Sequence, residues 1–278
     1  MWLRRTPSPV RVIRSRPPLP PASRLKAARS CTDPSSMSES GHVLLIESLD
    51  GSSHKLAERI MTFGIEPILV TDFEEAQQVL DQRRHLISGV MIPTSLPSQN
   101  LKKEIKLLRR KGPASGIIFV SVGKPPTPEE RKKLRAAGMQ IALWEPYDDG
   151  TLRFQMNRAL GGDRDSHGRL HKRAPTYLLA RIFVAGRTKD AVVYSLSEGG
   201  AFLETPRASM DGAHVDLELR LPTNHVRVAG EVVFSNVPGN LQRPNLPMGM
   251  GVRFDELASD LGDLLRQYVE KRLADLNV

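Results

Sequence analysis

The hydrophobic period of this chain changes once, across Gly161-Gly162-Asp163-Arg164-Asp165-Ser166-His167-Gly168, and that change constrains the fold more than any other feature. Before it, short apolar runs alternate with amphipathic stretches, the pattern of a parallel sheet wrapped by helices. After it, alternating β-branched runs follow one another with turn residues between them, the pattern of an antiparallel β-domain. The octapeptide is small and polar with no apolar period, so it reads as a flexible junction. A chain of 278 residues with 40% hydrophobic content can give each half its own core.

Residues 41–160 form the first folded segment. Strands are expected at His42–Glu47, Ile68–Val70, Gly89–Ile92, Gly116–Val122 and Ile141–Trp144, and helices at Ser52–Phe63, Phe73–Arg84, Gln99–Lys111 and Thr127–Ala137. Gly64 and Gly138 stand where a helix C-terminus needs a left-handed residue, and Thr127-Pro128-Glu129-Glu130 has the form of a capped start. The second folded segment, 176–278, follows a linker at 161–175. It carries six strand-like runs: Leu178–Val184, Ala191–Ser195, Ala201–Glu204, His214–Leu221, Val226–Val237 and Met248–Phe254. It ends in a helical stripe of Leu257, Leu261, Leu264, Leu265, Tyr268, Val269 and Leu273 suited to covering one side of a small barrel. A leucine zipper is the sharper reading of that stripe, and core packing the simpler one.

The formal charge of +9 invites a nucleic-acid reading, but its location works against that. Residues 1–40 hold eight basic and two acidic side chains, a net +6 that leaves +3 for the remainder. This Pro- and Ser-rich stretch has no apolar period and reads as a disordered basic tail. Translation from Met37 would remove it. The single cysteine, Cys31, can form no internal disulfide, which fits a reducing cytoplasm. No run reaches the roughly 20 apolar residues needed to span a bilayer, so no membrane insertion is expected. The basic run Lys102, Lys103, Lys106, Arg109, Arg110 and Lys111 reads as a solvated helix face. His171 and His214 have no second metal ligand at a useful interval, and no metal site is expected. No Ser–His–Asp set or paired carboxylates appear in a recognisable setting, so no enzymatic activity is expected.

Over residues 41–160 the chain resembles the receiver domain of two-component response regulators, most closely at Ala136-Ala137-Gly138-Met139 and at Glu145-Pro146-Tyr147-Asp148. The resemblance implies a doubly wound five-stranded parallel sheet. It also shows which phosphorylation chemistry is missing. Where the family places a metal-binding acidic pair, the chain has Glu47 and Ser48. The nucleophilic Asp position, four residues before Pro97, is Pro93. The hydroxyl position is kept as Ser121, but the lysine before the proline is Glu145, with the opposite charge. Asp50 reads as a solvated turn residue. The expectation is a degenerate receiver that acts by contact with itself, as a homodimer, or with another signalling protein.

Two motifs mark the second segment. Arg169-Leu170-His171-Lys172-Arg173 is an RxxxR just before the first barrel strand, and Ser195-Leu196-Ser197-Glu198-Gly199-Gly200 lies between the second and third. With Gly249-Met250-Gly251-Val252-Arg253-Phe254 they resemble the PilZ family of cyclic di-GMP receptors over 168–270. The resemblance implies a six-stranded antiparallel β-barrel with a terminal α-helix, and cyclic di-GMP as ligand. The chemistry is coherent: this dianion carries two guanines, and arginine can fork onto phosphate, pair with guanine O6 and N7, or stack on the base. Arg169 and Arg173, four apart in an extended segment, face the same side. Ser197 can donate its hydroxyl, and Gly199 and Gly200 permit close backbone approach and unusual dihedrals. Ser195 stands where the family has Asp or Asn, which removes a carboxylate or amide that could pair with a guanine edge.

The expected ligand-binding set is therefore Arg169, Arg173, Ser195, Ser197, Gly199 and Gly200. By resemblance the protein is a signalling adaptor that acts on motility or surface polysaccharide through an unidentified signalling or motility protein. Two other readings stand beside it: a PilZ-like interaction protein that binds no nucleotide, and a DNA-binding regulator resting on the tail and the basic helix.

Overall fold

The computed structural model describes residues 41–96, 100–113, 116–161, 170–241, 243 and 245–278. The basic tail and Arg169 lie outside the described residues, as does most of the junction. The first sheet is built from β1 (His42–Ile46), β2 (Pro67–Val70), β3 (Ile87–Pro93), β4 (Ile118–Gly123) and β5 (Ile141–Trp144), all parallel. Its strand order is 2-1-3-4-5, a doubly wound arrangement with a topological switch between β1 and β3. The strands are nearly continuous apolar runs because both faces are covered. Leu45, Met91 and Val120 pack toward one layer of helices, Leu44, Val90 and Phe119 toward the other.

Between the strands lie α1 (Ser52–Met61), α2 (Phe73–Arg83), α3 (Leu101–Lys111), α4 (Pro128–Ala137) and α5 (Asp149–Gly161). Punctuation sets their ends. Thr127 and Glu130 form a reciprocal capping box with Pro128 at the first turn, and Gly138 closes α4 at φ 100°. Gly64 follows α1 at φ 74°. The helix α5 has no counterpart among the sequence expectations, and the reason is physical. Leu152, Met156 and Ala159 pack on the first sheet while Phe154 and Asn157 meet the second. A helix covered on two sides shows no single apolar stripe.

The second sheet comprises β6 (Ala174–Val184), β7 (Arg187–Ser197), β8 (Gly200–Glu204), β9 (His214–Arg220), β10 (His225–Val237) and β12 (Gly249–Phe254), with a two-residue β11 (Asn240–Leu241) added at one edge. Every pairing is antiparallel, and β9 pairs with both β6 and β10, so six strands close into a barrel. The terminal helix α6 (Ser259–Ala274) lays Leu265, Val269 and Leu273 on the barrel core, with Leu261, Leu264 and Tyr268 packed beside them. The stripe is core packing, and the barrel loses no edge to solvent there.

β6 starts at Ala174, so the last residues read as linker are strand. Pro175 pairs with Ser195 beside a register shift, where a missing N–H is tolerated. At its far end β6 turns into β7 through Ala185 and Gly186, at φ 46° and 72°. Both central residues of a two-residue hairpin loop of type I′ need positive φ, and alanine is strained there. Ala185→Asn is expected to raise stability by about 0.5–1 kcal/mol, read as a higher denaturant midpoint at unchanged slope.

The described residues all fall within one compact unit. The segment after α6 runs along the outer edge of β5: Asn277 bridges Ile141 in antiparallel sense, Ala142 N–H donates to Leu276 O, and Val278 N–H donates to Gln140 O. Leu276 and Val278 are buried. The amide of Gln155, fully buried on α5, donates to both Ala142 O and Leu276 O at 2.6 and 2.8 Å. The guanidinium of Arg135 donates to Val278 O, and Arg158 donates to the Asn277 side chain. The edge of the parallel sheet is thus finished by the end of the barrel's own helix.

Candidate functional site

The segment ahead of β6 and the β7–β8 turn lie against each other. Glu198 and Gly199 are the two turn residues between Ser197 and Gly200, which pair across the hairpin. A Cβ on Gly199 would come within 2.8 Å of the His171 ring, so the absent side chain is what lets His171 rest on the turn. The Glu198 carboxylate lies 3.2 Å from His171 Nδ1 and 3.6 Å from Arg266 on α6. One carboxylate thus ties three pieces of chain: the segment carrying Arg173, the turn, and the terminal helix. These contacts are partly exposed, and each is worth well under 1 kcal/mol as an isolated pair.

Of the expected ligand-binding set, Arg173, Ser195, Ser197, Gly199 and Gly200 come together at this end of the barrel, and Arg169 falls outside the described residues. Arg173 is half-buried, immediately before β6. The Ser197 hydroxyl is buried and donates to Gly200 O at 3.0 Å. Ser195 is also buried, opposite Phe202 after a register shift that displaces β7 by one residue. Neither Gly199 nor Gly200 has the positive φ that unusual turn dihedrals would require. The expected close approach is present, but its partner is protein. A Cβ at Gly200 would sit 2.5 Å from Val252 O, so this glycine allows β12 to pack against the hairpin.

His171 and Glu198 were not recognisable as a pair from sequence, because the residues are 27 apart and meet only through the turn. The same holds for a row of rings outside the barrel core. Tyr194 on β7 packs against Phe154 of α5 at 6.4 Å and edge-on to Phe202 of β8 at 5.9 Å, and Phe202 meets Phe234 of β10 at 5.7 Å. Asn157 of α5 donates to Asn245 O and lies 3.5 Å from the Tyr194 hydroxyl. Burial pushes the Tyr194 phenol well above its ordinary range, so it stays neutral. The motif strand β7 therefore carries Ser195 and Ser197 beside the residue that joins the barrel to the first domain.

In that first domain, a cleft of about 1050 Å³ opens at the carboxyl ends of the parallel strands. Pro93 ends β3 on its wall, and Glu145 lines it after β5. The loop after β1 is tied by hydroxyls, Ser48 N–H donating to Ser53 Oγ and Ser53 N–H to Ser48 Oγ. Asp50 accepts from the Ser52 N–H, and hydrogen bonds from Ser48 and Ser52 bring its pKa down to about 2. Glu47 lies 3.4 Å from His54. Ser121 is buried on β4 with its hydroxyl unpartnered. The basic run on α3 is only partly a solvated face. Lys111 pairs with Asp81, and Arg109 lies over the Phe119 ring and donates to Gly138 O.

The family model described as PilZ domain matches residues 168–271. No curated protein matches this sequence. Among solved structures, the inhibitor of motility MotI/DgrA of Bacillus subtilis is similar, with 20% identity over 39% of this chain and 52% of that one, at a TM-score of 0.34. The chain thus spans about half the length of that protein. Chemotaxis protein CheY4 of Vibrio cholerae is similar at 18% identity over 43% of this chain and 98% of that one, TM-score 0.37. The PilZ domain of YcgR from Escherichia coli, solved with c-di-GMP, is similar at 15% identity over 39% and 94%, TM-score 0.31. Motif order, barrel topology and the family match agree: residues 168–271 match the PilZ domain family, and an α/β domain of strand order 2-1-3-4-5 precedes them.

Proposed function

We propose that this protein is a cyclic di-GMP receptor without catalytic activity, an adaptor whose receiver-like domain is not phosphorylated and which regulates motility or surface polysaccharide through protein contacts. The observation that carries the reading is the seat of the RxxxR segment on the Ser-Glu-Gly-Gly turn, with Gly199 leaving just the space that His171 takes. A dianion with two guanines entering there meets Arg173 from one side and the turn from the other, and Arg169 would supply a second guanidinium. Ligand contact with the segment disturbs the Glu198 contacts to His171 and Arg266 and so reaches α6, whose extension lies along β5. The angle between the domains, and what the receiver-like domain touches, then depends on ligand. Pro93 at the acceptor position and Glu145 in the cleft support a domain that works without phosphoryl transfer.

A second reading, an interaction protein that binds no nucleotide, has one observation in its favour: Ser195 is buried and opposes Phe202, so it offers a ligand no exposed polar group. Thermal stabilisation by cyclic di-GMP separates the two. A receptor at ligand concentration about 100-fold above Kd gains about 2.7 kcal/mol, and in Ser195→Asp, where the new carboxylate is buried, the gain is expected to be no larger. No shift in either protein would leave the interaction reading standing.

A further inference from the structure

The cleft of the receiver-like domain has lost one chemistry and carries the charge for another. Five basic side chains line it, Lys55, Arg59, Lys102, Lys124 and Lys133, against three acids, Asp50, Glu130 and Glu145. One of these charges is paired outside the set, and one carboxylate is held in a fixed place. Arg59 pairs with Asp149 at 2.6 Å and lies over the Tyr147 ring, and Glu130 accepts from the Thr127 N–H and hydroxyl at 2.8 and 2.9 Å in the capping box. That leaves four lysines in the lining against Asp50, Glu145 and Glu130, the last of which keeps its charge and is stabilised in part by Lys133. None of the four makes an ion pair among the described residues. They come from α1, α3, the loop after β4 and α4, so the positive charge surrounds the cleft rather than lying along one helix.

The lining also includes the apolar side chains of Leu45, Pro93, Leu96, Val122 and Leu134. A volume of about 1050 Å³ admits a molecule the size of a mononucleotide. The place is the crevice at the carboxyl ends of the strands beside a topological switch, where open α/β sheets bind ligands. The first turn of α3, which lacks a side-chain cap, opens on it as well. Lysine is a point charge suited to phosphate, and several of them around one opening suit more than one anionic group.

We propose that this cleft binds a small phosphorylated metabolite with an apolar body, held directly by Lys55, Lys102, Lys124 and Lys133. The site is separate from the barrel and does not depend on cyclic di-GMP binding. The test is calorimetric titration of the full chain at low salt with adenosine diphosphate and, as a probe without the organic body, inorganic pyrophosphate. Both are expected to bind, the nucleotide more tightly. Lys102→Glu/Lys124→Glu, at exposed positions that leave the core untouched, is expected to weaken both at least tenfold, whereas Arg173→Ala leaves them unchanged. Absence of heat with either probe at about 1 mM, the upper end of useful metabolite affinity, would overturn the proposal. So would affinity unchanged by the charge reversal, loss of binding in Arg173→Ala, or equal affinity for the two probes.

Discussion

Replacing Phe202 by alanine is expected to cost about 3–5 kcal/mol, the range for truncating a fully buried aromatic ring. Phe202 is 1% exposed, on β8, between Tyr194 and Phe234. The void has little means of closing. Phe234 already occupies the space left by the missing side chain of Gly251, where any Cβ would collide with its ring, and Arg243 lies over the ring at 4.6 Å. Tyr194 cannot move in without leaving Phe154 of α5. The substitution removes two aromatic contacts as well as the buried area, and it loosens the seam between the domains. Denaturation followed by circular dichroism should show the loss as a lower midpoint. A change below about 1 kcal/mol would mean that the row of rings is not packed as described.

The second large effect is expected at the other seam. Leu276→Ala with Val278→Ala removes two buried aliphatic side chains from the edge of β5, a loss of about 3–5 kcal/mol. It also weakens the backbone bridge to Ile141 and Ala142, and the buried Gln155 amide then keeps only Ala142 O as a secure acceptor. The parallel sheet and the barrel are coupled in part through this strip, so the variant should unfold in two steps where the parent unfolds in one. Fluorescence of Trp144, on β5, reports the first step directly. A single transition at the parental midpoint would contradict the coupling.

The order and type of the five parallel strands were readable because a strand covered on both faces must be apolar throughout, and the helices between them announced their ends with Thr127, Gly64 and Gly138. What local pattern cannot carry is burial by a distant partner. Helix α5 escaped because the barrel covers the side that would otherwise be polar. The docking of Leu276 and Val278 escaped because three residues have no period and their partners lie more than a hundred residues away. At the candidate site the two motifs and their order were legible. The roles of particular residues were less so: Gly200 serves strand packing against Val252, Ser197 is bonded within its own hairpin, and Glu198 links His171 to Arg266. Each depends on which strands become neighbours, and that is decided by barrel closure.

The measurement closest to the central claim is calorimetric titration of the full chain with cyclic di-GMP, beside the Arg169→Ala/Arg173→Ala variant. Micromolar or tighter binding is expected, about 8 kcal/mol or more, with at least a hundredfold loss in the variant as two charge-assisted contacts to the ligand disappear. Absence of heat and of thermal stabilisation in the parent protein, or equal binding by the variant, would contradict the receptor reading.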